Sequence, residues 1–529
     1  MLPTLLSPLR ASPSGPTRLR LPLIRLLSTP PTLPPSIRQT LATASPSPGS
    51  ENQPPITVRG SIKSVRRQKR VAFAEIGDGS ACAGLQAVMT PELAVGLTTG
   101  TTVSLSGKLV PSRGAGQKSE LSVSNVSVLG ACDASHAHLR SRTNGTSSML
   151  RLRDSLARGV HDYFESEDFI HVQTPILTSS DCEGAGEVFR VRPDTPSASP
   201  GTPSAASSSS TTPSPPDEFF SRPVYLTVSS QLHLESLSAG LSRVYTLSPT
   251  FRAEPSQTSR HLAEFWMLEA EVQYAQGLED IMSVAEGCIK SALGGMLGLS
   301  GQLTRAQERG ADALAFFDGT QNASSTPPGE LVPFLRTLVR PSTSWPRLTY
   351  TRAIQLVREH QTAHPEAFVY PVRRWGDALQ AEHEKWLARD GPVFVTDYPA
   401  SLKPFYMRMN DDGSRPAQAE ALQGIVDDDD DVDVVDRRTV ACFDLLVPRL
   451  GELAGGSLRE ERLAHLESAL ESHAMNQVDY AWYVDLRRYG TAPHGGFGLG
   501  WERLVGLVSG LENVRECIAF PRWKGSCMY

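Results

Sequence analysis

No run of 18 apolar residues occurs in this 529-residue chain, so a helix spanning a membrane is not expected. Cysteine is sparse and unpatterned. The seven residues (Cys82, Cys132, Cys182, Cys288, Cys442, Cys517 and Cys527) are odd in number and form no Cys-x-x-Cys pair, which argues against a zinc site or a disulfide framework and fits a reducing compartment. Strong net charge is also missing: 51 Lys and Arg against 57 Asp and Glu give −6, so contact with a polyanion has to come from local basic surfaces. One local absence is informative. The first fifty residues contain no lysine and no acid, only Arg10, Arg18, Arg20, Arg25 and Arg38 among leucine, serine and proline. That composition reads as a disordered mitochondrial transit peptide over residues 1–52, addressing the chain to the mitochondrial matrix. A plastid address shares the composition, and the prolines interrupt the amphipathic helix that such leaders use.

With 40% hydrophobic residues the chain can bury more than one core. Residues 53–131 hold five short runs of alternating hydrophobicity, ITVRGSIKSV, VAFAEIGD, GLQAVM, TTVSLSGKLV and SELSVSNVSVLG, with turn residues such as Asp78-Gly79 between them. Five such strands predict a small closed OB-type β-barrel with nucleic acid on one face, and Arg66, Arg67, Lys69 and Arg70 cluster beside it. A hinge linker follows at 132–149. Residues 150–168 have helical apolar spacing and run into a strand broken by Pro175, which cannot donate to a ladder and so marks an edge or interface. Within 150–529 three segments read as insertions: 193–217, almost all Ser, Thr, Pro and Ala; 301–345, irregular; and 423–437, where Asp427 to Asp431 form a solvated acidic run.

Chemistry concentrates in three stretches. GFGLGWERLV (496–505) is a glycine-rich strand end opening into an apolar helix with Arg503 in its first turn. Alternate glycines let a backbone lie against a ligand without Cβ interference, and a guanidinium offers planar donors that match phosphate oxygens. FRAEPSQTSRHLAEF (251–265) places Arg252, Glu254, Arg260 and His261 around a loop. FDLLVPRLGELAGGSLREER contributes Asp444, Glu452 and Arg459. A carboxylate beside a Gly-Gly pair suits a magnesium ion that keeps waters and takes most ligands from phosphates, with Glu452 the first candidate and Asp444 the second.

Together these stretches resemble the class II aminoacyl-tRNA synthetases. DCEGAGEVF, TSRHLAEFWMLEAE, FYMRMNDDG, GELAGGSLREER and HGGFGLGWERLVGLVSGLENVRECIAFPR resemble the asparaginyl-tRNA synthetases of the aspartyl, asparaginyl and lysyl subgroup, over roughly 56–529 apart from the insertions. The resemblance implies an α+β fold, in which the OB-type barrel precedes a catalytic domain built on an antiparallel sheet flanked by helices. It implies activation of L-asparagine with ATP and Mg2+, transfer to tRNA(Asn), and a homodimer through the helix and strand near Pro175.

Carried over residue by residue, the resemblance makes Arg252 and Arg503 catalytic. Arg252, Glu254, Arg260, His261, Leu262, Phe265, Glu452, Gly500, Glu502 and Arg503 would bind ATP. Phe265 would stack on one face of adenine and Arg503 on the other. Glu183, Gln231, Glu269 and Arg459 would bind the amino acid, with Arg459 on the amide oxygen; whether Glu269, Glu183 or Glu235 accepts from the amide or the ammonium stays open. In the barrel, Phe73, Gln86 and Glu120 would read the anticodon. Two departures matter. Gly455 stands where the aspartyl enzymes place a serine three residues beyond the glutamate, and in SSQLHLE Leu234 stands where they carry a lysine for the substrate carboxylate. A neutral amide needs no such cation. The rival readings are an aspartyl-tRNA synthetase, including one that charges both tRNAs, and a synthetase-like RNA-binding regulatory protein.

Overall fold

The computed structural model describes residues 35–43, 54–81, 84–112, 118–130, 137–180, 187–193, 219–256, 258–299, 301–319, 327–340, 344–410 and 438–528. The expected insertions at 193–217 and 423–437 fall almost wholly outside them, as does Glu183. Among the described residues no helix is long and apolar enough to cross a membrane.

Strands β1 (Ile56–Arg67), β2 (Ala72–Gly77), β3 (Leu85–Met89), β4 (Thr102–Pro111) and β5 (Ser119–Gly130) close into a barrel in the order β1-β2-β3-β5-β4. Strict alternation builds it: Ala72, Ala74 and Ile76 of β2 point inward, as do Leu85, Ala87 and Met89 of β3, while the residues between them face outward. Residues 35–43, within the stretch read above as a transit peptide, are structured. Helix α1 (Ile37–Thr43) buries Ile37 in the barrel core, with Leu41 packed one turn on. The turn at Asp78 caps this helix from outside, the Asp78 carboxylate accepting from the Ile37 N–H at 2.7 Å and Ser80 Oγ from the Arg38 N–H at 3.0 Å. This corrects the expectation of disorder for the described part of 1–52.

The second half is an eight-stranded mixed sheet in the order β12-β13-β14-β15-β16-β11-β10-β6, antiparallel except at its two outermost pairings. Its strands are β6 (Ile170–His171), β10 (Arg243–Phe251), β11 (Glu264–Gln273), β12 (Arg347–Thr349), β13 (Val393–Thr396), β14 (Cys442–Val447), β15 (Gly451–Leu458) and β16 (His494–Gly500). A small sheet of β7 (Leu177–Thr178), β9 (Val224–Leu226) and β8 (Arg190–Val191) lies beside it in the order β7-β9-β8.

Helix α2 (Asn144–Ser166) starts six residues earlier than the linker boundary at 149 implies, because Thr143 caps it by accepting from the Thr146 N–H. Helices α3 (Gln231–Leu241), α4 (Leu278–Met296), α5 (Arg305–Asp318), α6 (Leu331–Leu338), α7 (Tyr350–Ala363), α8 (Ala381–Leu387), α9 (Leu463–Ser472), α10 (Ala481–Arg488) and α11 (Trp501–Ser509) complete the order. The segment 301–345 is therefore not irregular. A capping box at Thr304 and Gln307 opens α5, and Ala313, Leu314, Phe317, Leu331 and Leu335 enter the main core with α2 and α4. Gly301, Gly319, Pro327, Pro328, Gly329 and Pro341 fall outside the two helices, while Gly310 lies inside α5 and Pro333 in the first turn of α6, so composition alone masked them.

Candidate active site

Strands β11, β15 and β16 run side by side in the sheet, and register places Glu269 opposite Gly498 and Gly498 opposite Gly455. In β16 the apolar Phe497 and Leu499 turn to the core at 2% and 0% exposure, so Gly496, Gly498 and Gly500 share the opposite face. That face is blocked at Gly496 and tight at Gly498. A Cβ at Gly496 would fall 2.1 Å from Glu271 Oε2, and one at Gly498 would fall 3.1 Å from the Met267 sulfur. Above the glycines lies a cavity of about 380 Å3 lined by residues of all three chemistry-bearing stretches.

At one end the cavity is a field of arginines and carboxylates. Arg252 follows β10 and lies over the Phe265 ring, 5.5 Å from its centroid. Glu254 faces His261 Nε2 at 3.2 Å, while His261 Nδ1 meets Thr258 Oγ1 at 2.6 Å. Arg260 donates to the Leu450 carbonyl at 2.6 Å and lies 3.6 Å from Glu384. Arg503, in the first turn of α11, donates to the Glu452 carbonyl at 2.8 Å and to its carboxylate at 3.2 Å. Asp444 and Glu452 converge beside Gly455, whose missing Cβ would lie 3.4 Å from the first carboxylate and 3.6 Å from the second. Lys403 Nζ donates to both Asp444 oxygens at 2.7 and 2.8 Å. Burial alone would raise the Glu452 carboxyl, but the Arg503 guanidinium and the Lys403 ammonium overrule it and hold it below the usual carboxylate range.

The other end is deeper. Glu269 accepts from Ser229 Oγ at 2.5 Å and from the Ser230 N–H at 2.9 and 3.0 Å, yet burial still pushes its carboxyl upward. Gln231 and Leu234 at the start of α3 also line the cavity. Arg459 is 3% exposed, donating to Glu271 Oε2 at 2.9 Å and to Ser457 Oγ at 2.8 Å. Glu235 sits behind this layer and is corrected as a ligand candidate. Its carboxylate accepts from Arg487 at 2.7 Å, Tyr483 at 2.8 Å and Gln231 at 3.0 Å, and faces His494 Nε2 at 3.1 Å. Burial opposes its charge, but Arg487, His494 and Arg459 win and hold its carboxyl far below the usual range. Glu235, Glu271 and His494 lie close enough for a metal, but two arginines already neutralise them.

The remaining expected ATP residues, Leu262, Gly500 and Glu502, also line the cavity, and each has a partner in the scaffold. Gly500 caps α11, and Leu262 packs with Val514 and Ile518 beneath Phe265. The Glu502 carboxylate binds Arg153 at 2.8 Å and the Trp266 N–H at 3.0 Å, so it ties helix α2 to the sheet. Sequence reasoning missed Lys403, Glu384 and Glu271. Their partners lie 41, 68 and 188 residues away, and only Glu271 falls inside a motif.

On the barrel, Phe73, Gln86 and Glu120 alternate with inward residues and are half-buried on the outer surface. Phe73 pairs with Val88, Gln86 with Glu75, and Ala87 with Leu121, so the three neighbouring strands β2, β3 and β5 present them together. Arg66, exposed at the hairpin, is the cross-strand partner of Phe73.

The family described as tRNA synthetases class II (D, K and N) matches residues 131–524, and the OB-fold nucleic acid binding domain matches 56–129. The chain is 38% identical to the mouse asparaginyl-tRNA synthetase over 494 residues, covering 89% of this chain and 91% of the relative. It is also 38% identical to the chloroplastic/mitochondrial asparagine–tRNA ligase of Arabidopsis thaliana over 510 residues, covering 90% and 80%. Among solved structures, asparaginyl-tRNA synthetase from Pyrococcus horikoshii complexed with asparaginyl-adenylate is similar with a TM-score of 0.67 at 27% identity, covering 89% and 96%.

Proposed function

The chain belongs to the class II tRNA synthetases of the aspartyl, lysyl and asparaginyl group, and within it to the asparaginyl-tRNA synthetases; from that membership we propose how its residues work as an asparagine–tRNA ligase. An L-asparagine carboxylate oxygen attacks the α-phosphorus of ATP, the bond to pyrophosphate breaks, and asparaginyl-adenylate forms. A hydroxyl of the terminal adenosine of tRNA(Asn) then attacks the carbonyl and releases AMP. Little proton transfer is needed, so positioning and neutralisation of phosphate charge carry the rate.

The observation that carries this reading is the cavity itself, with Arg252 and Arg503 over one end and Arg459 and Glu269 at the other. Arg252 binds the α-phosphate and the substrate carboxylate, and Arg260 and His261 take the outer phosphates. Phe265 and Arg503 sandwich adenine, such stacking contributing roughly 1–3 kcal/mol per base, with Arg503 also donating to the γ-phosphate, and Glu254 accepts from the adenine amine. The convergence of Asp444 and Glu452 beside Gly455 fits a magnesium ion. When bound it would supply charge neutralisation at the phosphates. Arg459 donates to the amide oxygen and Glu269 accepts from the α-ammonium or the amide NH2. The apolar Leu234 leaves an aspartate carboxylate without a second cation among buried acids. Phe73, Gln86 and Glu120 stack on and hydrogen-bond the unpaired anticodon bases.

Two further parts of the reading have separate support. The acid-free, arginine-bearing first fifty residues support delivery to the mitochondrial matrix, tested by fusing residues 1–55 to a fluorescent reporter, where diffuse cytosolic signal defeats it. Exposed Ile170, Ile176 and Leu177 beside the edge strand β6 support a homodimer through this region. The decisive test of function is amino-acid-dependent ATP–pyrophosphate exchange on the purified chain with asparagine and aspartate in parallel. Asparagine alone should support exchange; equal rates would establish the aspartyl reading instead.

A further inference from the structure

Four carboxylates lie at or just behind the phosphate end of the cavity, and each already faces one cation: Glu452 has Arg503 at 3.2 Å, Glu254 has Arg252 at 3.9 Å, Asp444 has Lys403 at 2.7 Å and, behind the lining, Glu384 has Arg260 at 3.6 Å. Glu384 is tied to the same place, its Oε2 accepting the Glu452 N–H at 3.2 Å. The charges therefore balance before any substrate arrives. The pairs are not alike. Arg260 and Arg503 are long, quarter-exposed side chains in the two ATP-binding stretches, and each also donates to a backbone carbonyl. Lys403 is shorter and more enclosed, at 15% exposure, gripping both Asp444 oxygens with the Tyr398 ring 4.0 Å from its ammonium. A turn of 3-10 helix over Ala400–Leu402 and the following Pro404 hold it against the cavity wall.

A divalent ion entering alone would add two positive charges to a balanced site and meet the Lys403 ammonium on Asp444, an unfavourable like-charge contact at low dielectric. An ion entering with a triphosphate would not, because phosphate oxygens supply the compensating charge and draw the two arginines off their carboxylates. We propose that Lys403 is a positioning residue that fills the cation place on Asp444, so that Asp444 and Glu452 take a divalent ion only together with the nucleotide. The proposal rests on the reading of Asp444 and Glu452 as the magnesium carboxylates.

The test is binding of Mn2+ alone, and of Mn2+ with ATP, to the full-length enzyme and to Lys403→Gln and Lys403→Arg, followed by the electron paramagnetic resonance of the free ion. The wild type and Lys403→Arg should bind Mn2+ weakly without ATP and well with it. Lys403→Gln should bind it without ATP at least about tenfold more tightly than the wild type, since a unit charge a few ångströms away is removed, and Asp444→Asn added to it should abolish the gain. Equal nucleotide-free binding by wild type and Lys403→Gln overturns the gating role. If neither protein binds Mn2+ even with ATP, the metal reading of Asp444 and Glu452 fails first and the proposal falls with it. Thermal melts of the variants report folding; should Lys403→Gln not fold, Lys403→Met takes its place, and wild-type Mn2+ binding without ATP at the affinity seen with ATP refutes the proposal unaided.

Discussion

Across the floor of the cavity, Arg459 of β15's end and Glu271 of β11 meet at 2.9 Å with side-chain exposures of 4% and 1%. The pair is nearly dry, so the two residues have to be changed together to separate recognition from stability. Arg459→Ala should lose asparagine activation and also destabilise the fold by about 3–5 kcal/mol, because it strands a buried charge. Arg459→Ala with Glu271→Gln should regain part of that stability without regaining activation. Urea unfolding and pyrophosphate exchange on the three proteins check this; recovery of exchange in the double variant would mean Arg459 serves only Glu271.

Arg252→Ala and Arg503→Ala should each lower exchange by roughly 10²–10³, the typical effect of losing one preorganised donor at developing phosphate charge. Both side chains are about one-quarter exposed, at 26% and 27%. Melting temperature and tRNA affinity should therefore stay close to wild type, and a collapse of either would reassign these arginines to the scaffold.

Phe73→Ala should leave exchange intact and weaken charging of tRNA(Asn). Its ring stands on the outer face of β2 while Ala72 and Ala74 fill the barrel at 0% and 1% exposure. Steady-state charging, read as a rise in KM for tRNA with exchange unchanged, is the measurement. Equal damage to both steps would place Phe73 in the barrel's structure.

Glu235→Gln should destabilise the enzyme in a pH-dependent way. The native carboxyl is held below its ordinary value of 4.5 despite burial, by Arg487, His494 and Arg459, so folding favours the ionised form. That contribution is complete above about 4.5 and is lost as pH falls toward the depressed native value. The gap between wild type and Glu235→Gln should thus be level around neutrality and narrow below about pH 4.5. A gap that widens on acidification would show that the ion pairing is not its source. Denaturant unfolding at a series of pH values measures it.

Residues recognisable along the chain were those whose partners sit nearby or whose pattern is backbone-driven. The barrel strands announce themselves by alternation, and the glycines of β16 by the backbone contact they allow. Arg252, Glu254 and His261 lie within ten residues of one another and do face one cavity. Lys403 and Arg487 gave no such signal, since the carboxylates they hold lie 41 and 252 residues off. Glu235 shows the opposite failure. Its place in SSQLHLE suggested a ligand, yet only the fold reveals that α10 and β16 enclose it. Helices α5 and α6 were hidden because Pro and Gly stand around them and, at Gly310 and Pro333, within them.

Helix α1 bears on the proposed mitochondrial delivery. It is stitched to the barrel turn at Asp78–Ser80, and Arg38 reaches across to Glu308 of α5 at 3.1 Å. Arg151 of α2 grips the same turn through the Gly79 and Ala81 carbonyls at 2.6 and 2.8 Å. A peptidase that cut at residue 52 would therefore strip away a piece of the joint between the RNA-reading and chemical halves. One that cuts ahead of Ser36 would leave that joint whole, so if the proposed leader is removed, a cut that keeps the two halves in register falls upstream of Ile37.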